Sequence, residues 1–153
     1  MKVQGLMTAP VYMVRLTDSL DAAARLMWDS DIGCVVVVDD RSVAHGMLTD
    51  RDIAMAAFLR GEPLAGIDVA SAMSTDLISC RPGDDVTKAE NLMRQHKVRR
   101  LPVMDAQGHP VGVLSLNDLA QAPRAYADIS EKEVAQVLQA VSAPRRHELT
   151  QAH

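Results

Sequence analysis

The chain has 153 residues, 48% of them hydrophobic but only 3% aromatic, and a net charge of −4. That length fits one ordinary domain or two small ones, whose interiors must be filled by aliphatics and nine methionines. The acidic balance argues against a sequence-independent hold on nucleic acid, which needs many Lys and Arg at phosphates. The N-terminus lacks a charged-then-apolar leader, and the longest strongly apolar run, Cys34 to Val38, is far short of a membrane span. Two cysteines without paired spacing point to a reducing compartment, so a soluble cytoplasmic protein is expected.

Val11 to Val14 reads as a short strand. Thr17-Asp18-Ser19 supplies helix-capping side chains, and Leu20, Ala23, Ala24 and Met27 follow at the spacing of one helix face. Cys34 to Val38 is continuous and β-branched, the pattern of a strand buried on both faces. After the polar turn Asp39-Asp40-Arg41-Ser42, Val43 to Leu48 makes a second strand. Asp50 to Leu59 is a second helix, stopped by Gly61 and Pro63. Residues 60–70, rich in Gly, Pro and small side chains, form a connection.

The same order then recurs. Leu77 to Cys80 is a strand, Pro82-Gly83-Asp84 a turn and helix start, and Val86, Ala89, Leu92 and Met93 a helix stripe. Leu101 to Asp105 and Val111 to Ser115 are strands around the turn Ala106-Gln107-Gly108, and a short helix runs from Asn117. Beyond it, Ser130-x-x-Glu133 has capping-box spacing, and Val134, Val137, Leu138 and Val141 line one face of a last helix. That face must bury against the body or against another subunit. Pro144 should stop the helix and leave a frayed tail to His153.

The recurrence holds residue by residue. A constant shift of 66, which carries Asp52 onto Asp118, gives 12 identities in the 48 ungapped positions from Met7 to Ala54, too many for chance. At its centre stands Gly46-Met47-Leu48-Thr49-Asp50-Arg51-Asp52, answered by Gly112-Val113-Leu114-Ser115-Leu116-Asn117-Asp118. The expected fold is α/β: two β-α-β-β-α repeats, residues 1–62 and 63–123, packed through their sheets because neither buries its own sheet alone, with a C-terminal helix and tail over 124–153.

With Leu6-Met7-Thr8 and Ala72-Met73-Ser74 at the unit starts, Arg99-Arg100-Leu101-Pro102-Val103 before the central strand, and the two Gly-x-x-Thr/Ser-x-x-Asp motifs, the chain resembles the CBS-domain pair, or Bateman module, from Met1 to about Pro123. With no catalytic domain attached, it is similar to the small stand-alone bacterial CBS-pair proteins. The string His45 to Asp52 is especially like their hypoxic-response group. The resemblance implies an adenosyl ligand (AMP, ADP, ATP, S-adenosylmethionine or NAD) in the cleft between the repeats, with no other cofactor required. It implies a flat homodimer formed through helices, and a regulated partner protein that senses the ligand. Carried over, Asp52 and Asp118 accept ribose hydroxyls, Thr49 and Ser115 contact ribose or the first phosphate, and Arg100 with Arg51 and Arg99 meets phosphates. The segments Thr8 to Tyr12 and Ser74 to Ile78 frame the base.

The chemistry suits these roles: a carboxylate is an acceptor fit for a cis-diol, a helix start favours anions, and guanidinium groups suit phosphate oxygens. The same motifs have the spacing of a helix N-cap with an acidic partner three residues on, and the two roles can coexist. The copies are also unequal. The first has Arg51 between hydroxyl and carboxylate where the second has Asn117, and the second has Arg99-Arg100 where the first has Gly33-Cys34. If the two basic clusters converge, one site is phosphate-competent and the other is poor or takes an uncharged ligand.

Two rivals remain: a ligand-free dimeric interaction module, and a redox or metal sensor using Cys34 and Cys80. The five histidines show no metal-ligand spacing, and no metal site is expected. No nucleophile elbow, Walker loop or paired cysteine site is present, so an enzyme is not expected.

Overall fold

The structure, a computed structural model, describes residues 1–125 and 130–143. The expected stop at Pro144 and the tail to His153 lie outside them.

The first unit contains β1 (Met13–Arg15), α1 (Leu20–Asp29), β2 (Cys34–Val38), β3 (Ala44–Thr49) and α2 (Asp50–Arg60). Strand β2 is central, parallel to β1 and antiparallel to β3. Its four valines are all buried, as a strand covered on both faces requires. Ser19 caps α1 by accepting a hydrogen bond from the Ala22 N–H, and Leu20, Ala23 and Met27 turn inward. Gly61, in the left-handed conformation at φ 62°, closes α2.

The second unit has α3 (Val86–His96), β4 (Arg100–Met104), β5 (Pro110–Ser115) and α4 (Leu116–Ala125). The strand expected at Leu77 to Cys80 is absent as a ladder. Only Cys80 bridges Val103, the repeat equivalent of Val14 on Val37. Two prolines explain the loss. In the first unit the Val36 N–H donates to the Tyr12 carbonyl and the Leu16 N–H to the Val38 carbonyl. The repeat places Pro102 at the first donor and Pro82 at the second, and neither has an N–H to give. What survives is the central pair, Cys80 N–H to Pro102 O and Met104 N–H to Cys80 O.

Helix α5 (Glu131–Ser142) packs on α3 and α4. It buries Val134, Val137 and Val141 in the second core, whereas Leu138, expected on the same stripe, is half exposed. Ser130 caps it by accepting from the Lys132 N–H.

The units exchange their opening segments. Val3 is wholly buried in the core built by α3, β4, β5, α4 and α5. Ile67 and Val69 are wholly buried in the core built by β1, α1, β2, β3 and α2. The backbone bonds that hold them obey the repeat: Val3 N–H to Asp84 O is matched by Val69 N–H to Asp18 O, and Gln4 N–H to Pro82 O by Ala70 N–H to Leu16 O.

Candidate functional site

Each motif sits where a strand runs straight into a helix. Thr49 ends β3 and caps α2: its hydroxyl accepts from the Asp52 N–H (3.1 Å), while Asp52 Oδ2 accepts from the Thr49 N–H (2.8 Å). The second motif does the same. Ser115 Oγ accepts from the Asp118 N–H at 3.2 Å, and Asp118 Oδ2 accepts from both the Ser115 N–H and hydroxyl at 2.7 and 2.6 Å. Both motifs are therefore complete capping boxes. The carboxylates also stand at helix N-termini, where free N–H groups and the dipole favour negative charge.

What distinguishes these helix starts from ordinary caps is what crosses them. Thr8, at the end of the exchanged opening segment, bridges Val113 of β5 antiparallel. Thr8 N–H donates to Val113 O and Val113 N–H to Thr8 O, at 2.9 and 3.1 Å. Ser74 pairs with Met47 of β3 in the equivalent way, at 2.9 and 3.1 Å. This approach is what the motif glycines are for. A Cβ on Gly46 would fall 2.3 Å from the Ser74 carbonyl oxygen, and one on Gly112 would fall 2.7 Å from Met7 Sδ and 3.1 Å from Thr8 O. The crossing brings Thr8 to the second motif, its hydroxyl donating to Asp118 Oδ1 at 3.5 Å.

The arginine sets converge in part. Arg100, at the start of β4, reaches across to the first unit: its Nη2 would lie 3.2 Å from a Cβ on Gly33, and Asp50 Oδ2 would lie 3.3 Å from the same point. Asp50 is the first residue of α2, and Arg51 is exposed in the same turn. Arg100 thus joins Arg51 on the first unit's side. Arg99 is exposed and contributes its carbonyl to the Leu116 N–H, and Asn117 is exposed in the first turn of α4. Tyr12 is exposed beside β2, and Ile78 packs against the second core. Sequence reasoning missed Gly33 and Asp50. Their signal was slight: a glycine stands where the second repeat has Arg99, and a Cβ there would crowd the side-chain ends of Arg100 and Asp50.

Both cysteines are free thiols. Burial raises the pKa of Cys34, with Arg100 opposing and Asp50 adding to the rise. Burial, reinforced by Asp84, pushes Cys80 up to about 11. Each is therefore held as the thiol at neutral pH, the less reactive form. Among the described residues no three His, Cys, Asp or Glu side chains come together as a metal site. No helix there is long and apolar enough to cross a membrane.

The model of the CBS domain matches residues 3–58 and 67–125, one match per unit. CBS domain-containing protein YhcV of Bacillus subtilis is 40% identical over 118 residues, covering 77% of this chain and 82% of the relative. Hypoxic response protein 1 of Mycobacterium tuberculosis is 30% identical over 146 residues, covering 92% of this chain and 94% of the relative. A crystal structure of Hypoxic Response Protein I with two coordinated zinc ions aligns at a TM-score of 0.71 and 29% identity, over 79% of this chain and 98% of that one. The structure of CBSX2 in complex with AMP aligns at a TM-score of 0.71 and 26% identity, over 81% of this chain and 96% of that one.

Proposed function

Because the chain belongs to the CBS-domain family, we propose that it is a regulatory CBS pair that binds an adenosyl ligand (AMP, ADP, ATP, S-adenosylmethionine or NAD) where the opening segments cross the motifs. It works as a homodimer whose geometry the ligand biases, to the extent that the ligand prefers one arrangement of the units, and a partner protein reads the result. The observation that carries the reading is Arg100. It is a second-unit guanidinium delivered beside Asp50 at the start of α2, next to Arg51, Thr49 and Asp52. A phosphate there would meet two guanidinium groups and a helix N-terminus. The second motif offers Thr8, Ser115, Asn117 and Asp118 but, in this sequence, no arginine in its first helical turn. The phosphorylated ligand therefore belongs at the first motif, and the complex of CBSX2 with AMP is consistent with such a ligand. The reading is of a sensor and not a catalyst: Asp52 and Asp118 are occupied in their caps and both thiols are protonated.

The rival reading, an interaction module without ligand, is favoured by the completeness of both capping boxes. A thermal-shift panel of AMP, ADP, ATP, NAD, NADH and S-adenosylmethionine separates the two. A ligand at 100-fold over its Kd stabilises the folded chain by about 2.7 kcal/mol. Arg100 takes no part in a cap, so Arg100→Ala should abolish the shift while leaving the unliganded melting temperature in place. Asp52→Ala should lose the shift together with roughly 1 kcal/mol of capping, and Asp118→Ala the capping alone. Absence of a shift with all six ligands in wild type would establish the rival.

A further inference from the structure

Helix α5 is an addition to the repeat. The matches to the CBS domain end at residue 125, and α5 begins at Glu131. The first unit closes its core with α1 and α2, and no third α-helix among the described residues packs over that pair. On the second unit α5 covers the equivalent pair, α3 and α4, and is held there by Val134, Val137 and Val141. Three valines are a small hold against the conformational entropy of ordering a helix of 12 residues.

Beneath α5 lies a carboxyl group with nothing to bind. Glu90, where the first repeat has Ala24, is more than nine-tenths buried, and its Oε1 has no hydrogen-bond partner among the described residues. On its own helix, Lys88 pairs with Asp84, and the guanidinium of Arg94, one turn further on, donates to Asn91 Oδ1. Glu133, in the first turn of α5, brings a second negative charge to bear. The other elements supply no cation among the described residues. Lys2 and the chain's α-amino group, at the start of α3, act on Asp85. Arg100 of β4 is turned toward the first unit, Asp118 of α4 is bound in its cap, and Glu131 and Lys132 of α5 are exposed.

A buried carboxylate without donors is costly, and the neutral acid is far less so. The penalty has two exits: the carboxyl takes a proton, or α5 lifts and lets water reach it. Seating α5 raises the pKa of Glu90 above the ordinary 4.5, chiefly by burial, with Glu133 adding and Arg94 opposing. Seating is therefore favoured below pH 4.5 and loses that advantage as pH rises through the higher value of the seated state.

We infer that α5 is a releasable cover on the second unit, with Glu90 as its latch. With the carboxyl neutral, α5 stays in the groove between α3 and α4. With the carboxylate charged, α5 lifts and opens that groove, while β4, β5 and the two helices beneath keep their fold as the uncovered first unit does. The inference depends on neither the proposed ligand nor the proposed homodimer.

Hydrogen exchange on the full chain at pH 4 and pH 7 tests it, read as the protection of α5 amides relative to those of β4, so that the pH dependence of intrinsic exchange cancels. In wild type the relative protection of α5 should fall several-fold from pH 4 to pH 7. Glu90→Gln should abolish that fall and raise the protection of α5 at pH 7 about fivefold or more. Arg94→Ala, which removes the opposing charge, should lower it at pH 7 and leave it in place at pH 4. Val137→Ala, which weakens the seat without touching the latch, should loosen α5 by the same factor at both pH values. A wild type whose α5 is equally protected at both pH values, or a Glu90→Gln variant that keeps the fall, overturns the latch. Loss of protection in α5 and β4 together would show a helix integral to the second core, and overturns the cover.

Discussion

Asp118 shows why capping and binding need not compete. Its Oδ2 closes the cap with the Ser115 backbone and hydroxyl, while Oδ1 faces the hydroxyl of Thr8, which arrives from the other end of the chain. The capping half of this was legible in the sequence, because Ser115-x-x-Asp118 and Thr49-x-x-Asp52 are local patterns. The reach of Arg100 to Gly33 and Asp50 was not, because it depends on how one unit is set against the other. Glu90 is a further residue-scale feature. It is 5% exposed, its Oε1 has no hydrogen-bond partner among the described residues, and it sits beneath α5 where the first repeat has Ala24. Burial, with Glu133 of α5 adding and Arg94 opposing, raises its pKa above the ordinary carboxyl value of 4.5. The folded state therefore favours the neutral acid. The contribution is fully present below pH 4.5 and is lost as pH rises through the higher folded-state value. Glu90→Gln should consequently raise the melting temperature at pH 7 by a few degrees, roughly 1 kcal/mol, and change it little at pH 4. Equal effects at the two pH values would show that ionisation of Glu90 is not the cause.

Among the elements, β2, β3, β4, β5 and α2 fall within one residue of the expected bounds, α2 from its start and stop signals, and α1 and α3 begin where their apolar stripes begin. The failure at Leu77 to Cys80 is instructive because the apolar pattern was read correctly and the ladder still does not form. A strand needs donors as well as side chains that fit. Pro82 and Pro102 remove two donors at the positions that make β1 a strand in the first unit. The signal was in the sequence, visible once the shift of 66 is applied to the hydrogen bonds as well as to the side chains. Helix α5 was legible as an amphipathic helix but not in its destination. Its stripe also proved narrower than expected, Val134, Val137 and Val141 without Leu138, because it seats in one groove between two helices.

For the molecule as a whole, the exchange of opening segments was the least legible feature. It pairs residues of different repeats far apart in the chain, such as Thr8 with Val113 and Val69 with Asp18, and periodicity within one repeat says nothing of that. The repeated glycines at 46 and 112 were its only trace. The exchange makes an asymmetric prediction. Val3→Ala should destabilise by about 2 kcal/mol, from a cavity in the second core. In hydrogen exchange the loosening should fall on α3, β4, β5 and α5 and spare β1 to α2, although Val3 precedes β1 in the chain. Loosening confined to β1, α1 and α2 would contradict the exchange.

The same crossing sets the order in which the protein is completed as it leaves the ribosome. When Arg60 emerges, every strand and helix of the first unit has been made, yet its core lacks Ile67 and Val69. Meanwhile Val3, already made, waits for partners in α3 and α4 that are more than 80 residues further along the chain. The first unit can therefore close only once Met73 is out. Stalled chains should become protease-resistant over β1 to α2 past that point, whereas resistance already at Arg60 would mean that the opening segment of the second repeat is dispensable to the first.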